Sequence, residues 1–221
     1  MRAMLLAAGR GERLRPFTDS LPKPLIPVGG RALIEWHLAA LARAGFTQVV
    51  VNLSWLGERL RAALGDGGRF GVTIHYSDEG PVALETGGGI LRALPLLGPE
   101  PFLVVSADIF TDLDFAPLRH EPAALAHLVL VPNPAHHPRG DFALEGDRVV
   151  LEGERLTYGN VGIYRPEFFC GCTPGRFPLV EPLKRAIAAG SVSGQLFTGQ
   201  WSDVGTPERL AELNGRLAQV Q

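Results

Sequence analysis

Apolar residues occur in short runs interrupted by glycine, proline and charged residues, and this pattern predicts alternating strands and helices. Short runs rich in apolar and β-branched residues predict strands at residues 2–8, 49–52, 72–77 and 102–106. Apolar residues at helical spacing predict helices over residues 32–44, 56–64 and 87–94. Strand and helix alternate through about the first 115 residues, so we expect βαβ units and a mainly parallel sheet.

The second half has a less regular pattern. It predicts strands at residues 126–131, 160–164 and 195–201, a hairpin of residues 142–144 with 148–151, and helices over residues 179–189 and 207–218. Thr206 is the expected N-cap of the last helix, with Pro207 at its first position. We expect one Rossmann-like α/β domain over residues 1–221, with a central sheet between two layers of helices.

The first predicted strand runs directly into a glycine loop that carries fixed cations. Gly9 and Gly11 permit positive φ and a close approach of the backbone to a ligand, and successive N–H groups in such a turn bind anions. Arg13, Arg15 and Lys23 add positive charge nearby. Leucine at position 14 excludes the dinucleotide fingerprint, and no Gly-Lys-Ser/Thr tripeptide is present for a P-loop. The loop therefore predicts a polyphosphate site of another type.

Polar residues follow several of the apolar strands. Gly9, Asn52 and Asp108 all stand after predicted strands, so the parallel arrangement should gather them at one edge of the sheet. Asp108 is a candidate Mg²⁺ ligand, since magnesium favours one or two carboxylates together with substrate phosphates. An aspartate that only caps a turn is the alternative. Asp112 and Asp114 are nearby rivals, placed in a predicted turn.

Composition and charge limit the classes of protein to which this chain can belong. The net charge of −2 argues against a nucleic-acid-binding surface, so the expected ligand is a free nucleotide. No apolar run reaches the roughly 20 residues of a membrane span, and we expect a cytoplasmic protein. Two cysteines, Cys170 and Cys172, are too few for a zinc site or a disulfide scaffold. His136 and His137 are interpreted as solvated loop residues.

The glycine loop forms part of a longer signature. Residues 9–18 read G-x-G-x-R-x-R-P-x-T, Lys23-Pro24 follows, and residues 201–207 read W-x-D-x-G-T-P. This combination resembles the sugar-1-phosphate nucleotidylyltransferases. The resemblance implies the nucleotide-diphospho-sugar transferase fold, with a nucleotide-binding half in residues 1–120 and a sugar-binding half in residues 121–221. Because the chain ends soon after Asp203, we expect no β-helical acyltransferase domain.

The same resemblance assigns site residues. It implies catalytic roles for Arg13 and Lys23, and Mg²⁺ ligation by Asp108 and Asp203. The nucleotide-binding residues implied are Ala8, Gly9, Gly11, Glu12, Arg13, Lys23, Gly88 and Asp108. The sugar-binding residues implied are Glu85, Gly140, Asp141, Glu152 and Asn160. Two positions depart from the pattern: many members have glycine where this chain has Glu85, and a pyrimidine-reading glutamine where it has Ala83. Base recognition is then expected from the backbone of residues 80–82.

Substrate choice rests on two segments. Residues 84–90 and 133–142 are similar to members of the family that join UTP to N-acetylmuramate 1-phosphate in peptidoglycan recycling. The alternatives are mannose 1-phosphate with GTP, glucose 1-phosphate with UTP or dTTP, and a phosphorylated alcohol with CTP. A non-catalytic sugar-nucleotide sensor is the alternative from another class. It is disfavoured because a binding module has no need of both carboxylates.

Overall fold

The computed structural model describes residues 1–120 and 124–219. Its strands and α-helices are β1 Arg2–Leu6, α1 Phe17–Ser20, β2 Pro27–Val28, β3 Arg31–Ala32, α2 Leu33–Arg43, β4 Gln48–Leu53, α3 Gly57–Leu64, β5 Thr73–Asp78, α4 Glu85–Leu97, β6 Phe102–Ser106, β7 Ile109–Thr111, β8 Ala126–Val131, β9 Phe142–Glu145, β10 Arg148–Val150, β11 Arg155–Tyr164, α5 Val180–Ala188, β12 Val192–Leu196, β13 Trp201–Asp203 and α6 Pro207–Ala218. Among the described helices, none has the length and apolarity that crossing a membrane requires.

Every predicted element except the strand 195–201 is present, and the bounds agree to within two residues apart from those of α4 and β11. Helix α4 begins at Glu85 and continues through Pro95 to a C-cap at Gly98. Strand β11 starts at Arg155, five residues earlier than expected. The predicted strand 195–201 is wrong: it is the end of β12 and the start of β13, which belong to different sheets. The chain turns between them, where Asp112 accepts a hydrogen bond from the backbone N–H of Gln200.

The central sheet has nine strands in the order β5-β4-β1-β6-β11-β8-β12-β10-β9. Strands β5, β4, β1 and β6 are parallel, as βαβ units require. Strand β11 is antiparallel to both of its neighbours, β6 and β8, and only the β8–β12 pair is parallel beyond it. The sheet is therefore mixed, and the expectation of a mainly parallel sheet holds for its first half only.

The last five strands close into a ring. Strand β9 pairs with β10 and also with β11, where Phe142 lies opposite Leu156. The circuit then runs through β8, β12 and β10 back to β9. This ring carries the loops of the second half of the site.

Side chains of the parallel strands alternate between two apolar clusters. Ala3 and Leu5 of β1 face the cluster that contains α2 and α3, whereas Met4 faces the cluster that contains α4 and α5. Helices therefore cover both faces of the parallel strands. A third, smaller cluster joins α6 to the segment after the glycine loop through Leu14, Val204 and other buried residues. The carboxyl ends of β1, β4, β5 and β6 remain uncovered and form one wall of a cleft.

Candidate active site

A cavity of about 430 Å³ lies at the carboxyl ends of the parallel strands. Residues that the sequence assigned to the site line it: Ala8, Gly9, Gly11, Glu12, Arg13, Lys23, Glu85 and Asp108. Its walls also include Asn52, Glu79, Thr86, Ser106 and Gly205. The expected convergence of strand ends at one edge of the sheet is confirmed.

Lys23 and Asp108 form an ion pair on the floor of this first cavity. Lys23 Nζ donates to Asp108 Oδ2 at 2.6 Å, and Ser106 Oγ donates to Asp108 Oδ1 at 2.8 Å. Burial of Asp108 opposes its ionisation, but the ammonium of Lys23 and these hydrogen bonds outweigh that effect and hold the pKa of Asp108 below its ordinary value. Lys23 is 7% exposed, so a charged amine is held ready inside the cavity. Asp112 and Asp114, by contrast, accept hydrogen bonds from loop backbone N–H groups.

The glycine loop is closed on itself by short-range contacts. Gly11 has φ of +67°, and a Cβ there would lie 3.0 Å from Thr18 and 3.1 Å from Lys23, so both backbone shape and space require glycine. Thr18 Oγ1 donates to the Gly11 carbonyl at 2.9 Å. Arg15 is paired with Asp19, whereas Arg13 has no hydrogen bond or ion pair with any described residue. Arg13 is therefore the arginine available to a ligand.

A buried polar chain links the glycine loop to the start of α4. Asn52 Oδ1 accepts from the Ala7 N–H, and Asn52 Nδ2 donates to Glu79 Oε1, both at 2.6 Å. Glu79 Oε2 accepts from the Leu84 N–H at 2.6 Å. Glu79 is not among the predicted site residues, although it directly follows β5 and so lies at a strand end as Asn52 and Asp108 do.

A second cavity, of about 360 Å³, lies over the ring of strands and shares Thr86 with the first. Asp141 lines it: Oδ2 accepts from the Tyr158 N–H at 2.8 Å, and Oδ1 lies 3.1 Å from His137 Nε2. Asn160 also lines it and has φ of +57° at a register shift in β11. A positive φ at a residue other than glycine is strained, and such strain is concentrated at functional positions.

Three expected site residues line neither cavity. Gly88 is buried beneath the Gly175 carbonyl, which leaves no room for a side chain or a ligand. Gly140 has φ of +58°, and a Cβ there would meet Asn133 at 2.7 Å, so its role is to turn the chain toward Asp141. Glu152 is exposed in the turn after β10. The ligand roles of these three residues stay predictions, since the structure places them outside both cavities.

The short β7–β13 ladder places Asp203 opposite Ile109, the residue that follows Asp108. The Val204 N–H donates to the Asp108 carbonyl at 2.8 Å. Arg209 donates to Asp203 Oδ2. His136 Nε2 lies 3.0 Å from Oδ1, but without hydrogen-bond geometry, and this buried oxygen has no hydrogen-bond partner among the described residues. An unsatisfied carboxylate oxygen of this kind fits a cation ligand.

His37 contacts strand β7, which follows Asp108. It is 2% exposed on α2, and its Nε2 donates to the Ile109 carbonyl at 2.7 Å. Burial lowers the pKa of His37 to about 4, and the hydrogen bond to Ile109 and the charge of Asp108 offset only part of that effect. The neutral ring is therefore part of the folded structure.

Comparisons with known proteins point to one family. The model of the nucleotidyl transferase family matches residues 2–140. The chain is 51% identical to the N-acetylmuramate alpha-1-phosphate uridylyltransferase of Neisseria meningitidis serogroup B, with 96% of each chain covered. It is 34% identical to the enzyme of the same name from Caulobacter vibrioides, over 99% of this chain and 97% of the relative.

Solved structures share the fold. A putative glucose-1-phosphate thymidylyltransferase from Bacillus anthracis, solved in complex with a sucrose, superposes with a TM-score of 0.89 at 20% identity. The match covers 100% of this chain and 96% of that one. At this identity the likeness supports the Rossmann-like architecture alone.

Proposed function

The chain belongs to the nucleotidyl transferase family, and on that premise we propose that it transfers a uridylyl group from UTP to N-acetylmuramate 1-phosphate, releasing pyrophosphate. The observation that carries the nucleotidyl transfer is the first cavity, where Lys23 faces Asp108 beneath a glycine loop of backbone donors. The substrate pair is supported by the relative that is 51% identical over 96% of the chain. The reaction would return a cell-wall sugar to the cytoplasmic pool of nucleotide sugars.

The chemistry is an in-line displacement at phosphorus. An oxygen of the sugar phosphate forms a bond to the α-phosphorus of UTP while the bond from that phosphorus to the bridging oxygen breaks, and the electron pair leaves with pyrophosphate. Because the attacking oxygen is already anionic, no general base is required. The protein then contributes position and positive charge, as in other phosphoryl transfers.

The residues of the first cavity divide this work. The unpaired Arg13 would bind the β- and γ-phosphates and stabilise the charge that develops on the leaving group. Lys23 would leave Asp108 and bridge the α-phosphate and the sugar phosphate, which reduces the repulsion between two anions. The backbone N–H groups of residues 8–11 would hold the phosphate chain in place.

Asp108 and Asp203 would together hold Mg²⁺. Their donor atoms fit this ion, since magnesium takes carboxylate oxygens and completes its shell with phosphates and water. The described residues contain no group of three or more metal-ligating side chains, which fits a cation that arrives with the nucleotide. When bound, the ion supplies charge neutralisation at the α-phosphate.

The second cavity would accept the sugar. Asp141 and Asn160 present polar atoms to it, and Trp201 adds an apolar wall. Thr86 stands between the two cavities, where the phosphate of the sugar must meet the nucleotide. The uracil would lie near Ala83, which lines the first cavity beside the exposed loop of residues 80–82.

The test is pyrophosphate release by the purified protein with Mg²⁺. UTP, GTP, dTTP and CTP are crossed with the 1-phosphates of N-acetylmuramate, N-acetylglucosamine, glucose and mannose. We expect the highest kcat/KM for UTP with N-acetylmuramate 1-phosphate, and loss of activity with EDTA. Maximal activity with another pair would replace the substrates and keep the chemistry. No activity from folded protein across all pairs would overturn the proposal in favour of a non-catalytic sensor.

A further inference from the structure

Glu85 has a backbone conformation that disfavours its own side chain. Its φ is +61°, a region where glycine is unstrained and a glutamate is not. Glu85 nevertheless opens α4, and its side chain lines the first cavity. Backbone strain at an exposed position indicates that the side chain does something a glycine could not.

The partner of Glu85 is Arg176. Arg176 Nε lies 2.9 Å from Glu85 Oε1, and the two side chains are 64% and 37% exposed. This pair uses the Nε edge of the guanidinium. The two terminal nitrogens make no hydrogen bond or ion pair with any described residue, and together they form the edge that binds a carboxylate through two parallel hydrogen bonds.

The backbone around Arg176 is fixed against α4. The Phe177 N–H donates to the Leu84 carbonyl at 3.1 Å, and the Phe177 carbonyl accepts from the N–H groups of Gly87 and Gly88, both at 3.1 Å. Thr86 lies between the residues at the start of α4 that bond to Phe177, and it lines both cavities. Pro178 lines the second cavity. Arg176 itself lines neither cavity, but its backbone is held beside Thr86, the residue that the two cavities share.

The second cavity itself is acidic. Asp141 and Asp203 line it, and among its described lining residues only His137 can carry positive charge. His137 lies 3.1 Å from Asp141, so its charge, when present, is already opposed. A neutral sugar suits this lining, whereas a sugar that carries a carboxylate needs a cation at the rim.

We propose that Arg176, oriented by Glu85, binds the carboxylate of the lactyl ether of N-acetylmuramate 1-phosphate. Arg176 is then the residue that distinguishes this substrate from N-acetylglucosamine 1-phosphate, which lacks the carboxylate. The inference rests on the proposed function. It also explains the retention of Glu85 at positive φ: the glutamate holds the guanidinium so that its free edge faces the sugar.

The experiment compares N-acetylmuramate 1-phosphate with its lactyl methyl ester, which keeps the shape and removes the charge. For the unmodified protein we expect KM for the acid to be up to about fivefold lower than for the ester, the size of one partly exposed charged pair. Arg176→Gln should raise KM for the acid to the value for the ester and leave KM for the ester unchanged. If Arg176 had only a structural role, its replacement would change KM for both substrates by the same factor.

Two further variants sharpen the result. Glu85→Gly should relieve the strain and raise KM for the acid severalfold, because Arg176 loses its orienting partner. Lys184→Gln removes an exposed lysine paired with Glu181 on α5 and should leave KM for both substrates unchanged. If the acid-to-ester ratio of KM is the same in the unmodified protein and in Arg176→Gln, the inference is overturned and the proposed function is not. No turnover of either substrate by the unmodified protein would overturn the proposed function and the inference together.

Discussion

The two cavities differ in the elements that line them and in the exposure of their polar groups. The first is formed by strand ends and the glycine loop, and several of its polar groups are buried and paired: Lys23, Asn52 and Glu79 are each less than 10% exposed. The second is lined by side chains from strands and helices that are far apart in the sequence, together with loop residues such as His137 and Asp141, which are about 40% exposed. The groups proposed to act on the nucleotide are thus mostly buried, whereas those proposed to contact the sugar are more exposed. Changes in the first cavity should affect every substrate, and changes in the second should affect the sugar alone.

The largest effect is expected from Lys23→Met. Removal of the charge that bridges the two phosphates should lower kcat about 10³-fold with every pair of substrates, as for other fixed charges that act in a transition state. The value of kcat is measured as the rate of pyrophosphate release at saturating concentrations of both substrates.

This variant also leaves the partly buried Asp108 carboxylate without its charged partner, which lowers stability. Lys23→Met combined with Asp108→Asn should recover the free energy of unfolding without recovering activity. Recovery of activity in the double variant would contradict the role of Lys23.

The pH dependence of stability should arise beneath the first cavity. His37 has a folded-state pKa of about 4, below its ordinary value of 6.5. As pH falls through 6.5 the unfolded chain binds the proton first, so stability is full above pH 6.5 and is lost down to about pH 4. The difference of 2.5 pKa units corresponds to about 3 kcal/mol. Urea unfolding between pH 7 and 4 measures it.

His37→Gln is the matched control, since its amide can still donate to the Ile109 carbonyl but does not titrate. Its stability should fall less steeply over this range. Parallel profiles for the two proteins would show that His37 does not set the acid sensitivity. Asp108, whose pKa is also lowered in the fold, loses its contribution at a lower pH, below its ordinary value of 3.8.

Glu79→Gln tests whether the buried chain behind the first cavity serves the nucleotide. The amide nitrogen would face one of two donors, the Asn52 amide or the Leu84 N–H, and would leave a buried donor unpaired. We expect a loss of about 2 kcal/mol in the free energy of unfolding and a KM for UTP raised several-fold. The KM for the sugar phosphate should remain unchanged. An increase confined to the sugar phosphate would break the division between the cavities.

The smallest effect is expected from Asp141→Asn in the second cavity. Asparagine can still accept from the Tyr158 N–H, so the fold is retained, and only the charge near His137 and the sugar is removed. KM for the sugar phosphate should rise about fivefold, in line with a half-exposed charge. KM for UTP should stay the same in initial-rate measurements, and a matching rise there would contradict the separation of roles.

This division also explains what could be predicted from the sequence. The glycine loop, Lys23 and Asp108 are local signals at the ends of apolar strands, and the structure brings them together. The second half depends on long-range pairing that periodicity does not encode. The register shift that places Asn160, the β7–β13 ladder that places Asp203, and the docking of residues 175–177 on α4 are such pairings. Gly88 and Gly140 were assigned to the ligand because a motif marks a segment, not the direction in which each residue faces.

The closed ring of β8 to β12 also determines where the protein can add a strand from outside. Strand β9 bonds to β10 on one side and β11 on the other, so the nine-stranded sheet, as far as the structure describes it, has a single open edge at β5. Open edges are where chains join by intermolecular hydrogen bonding, and exposed ends such as Asp78 hinder it by charge repulsion. Edge-to-edge aggregation of the native sheet is therefore confined to the side opposite the ring, so an added charge on β5 would protect the protein better than one on any other strand of this sheet.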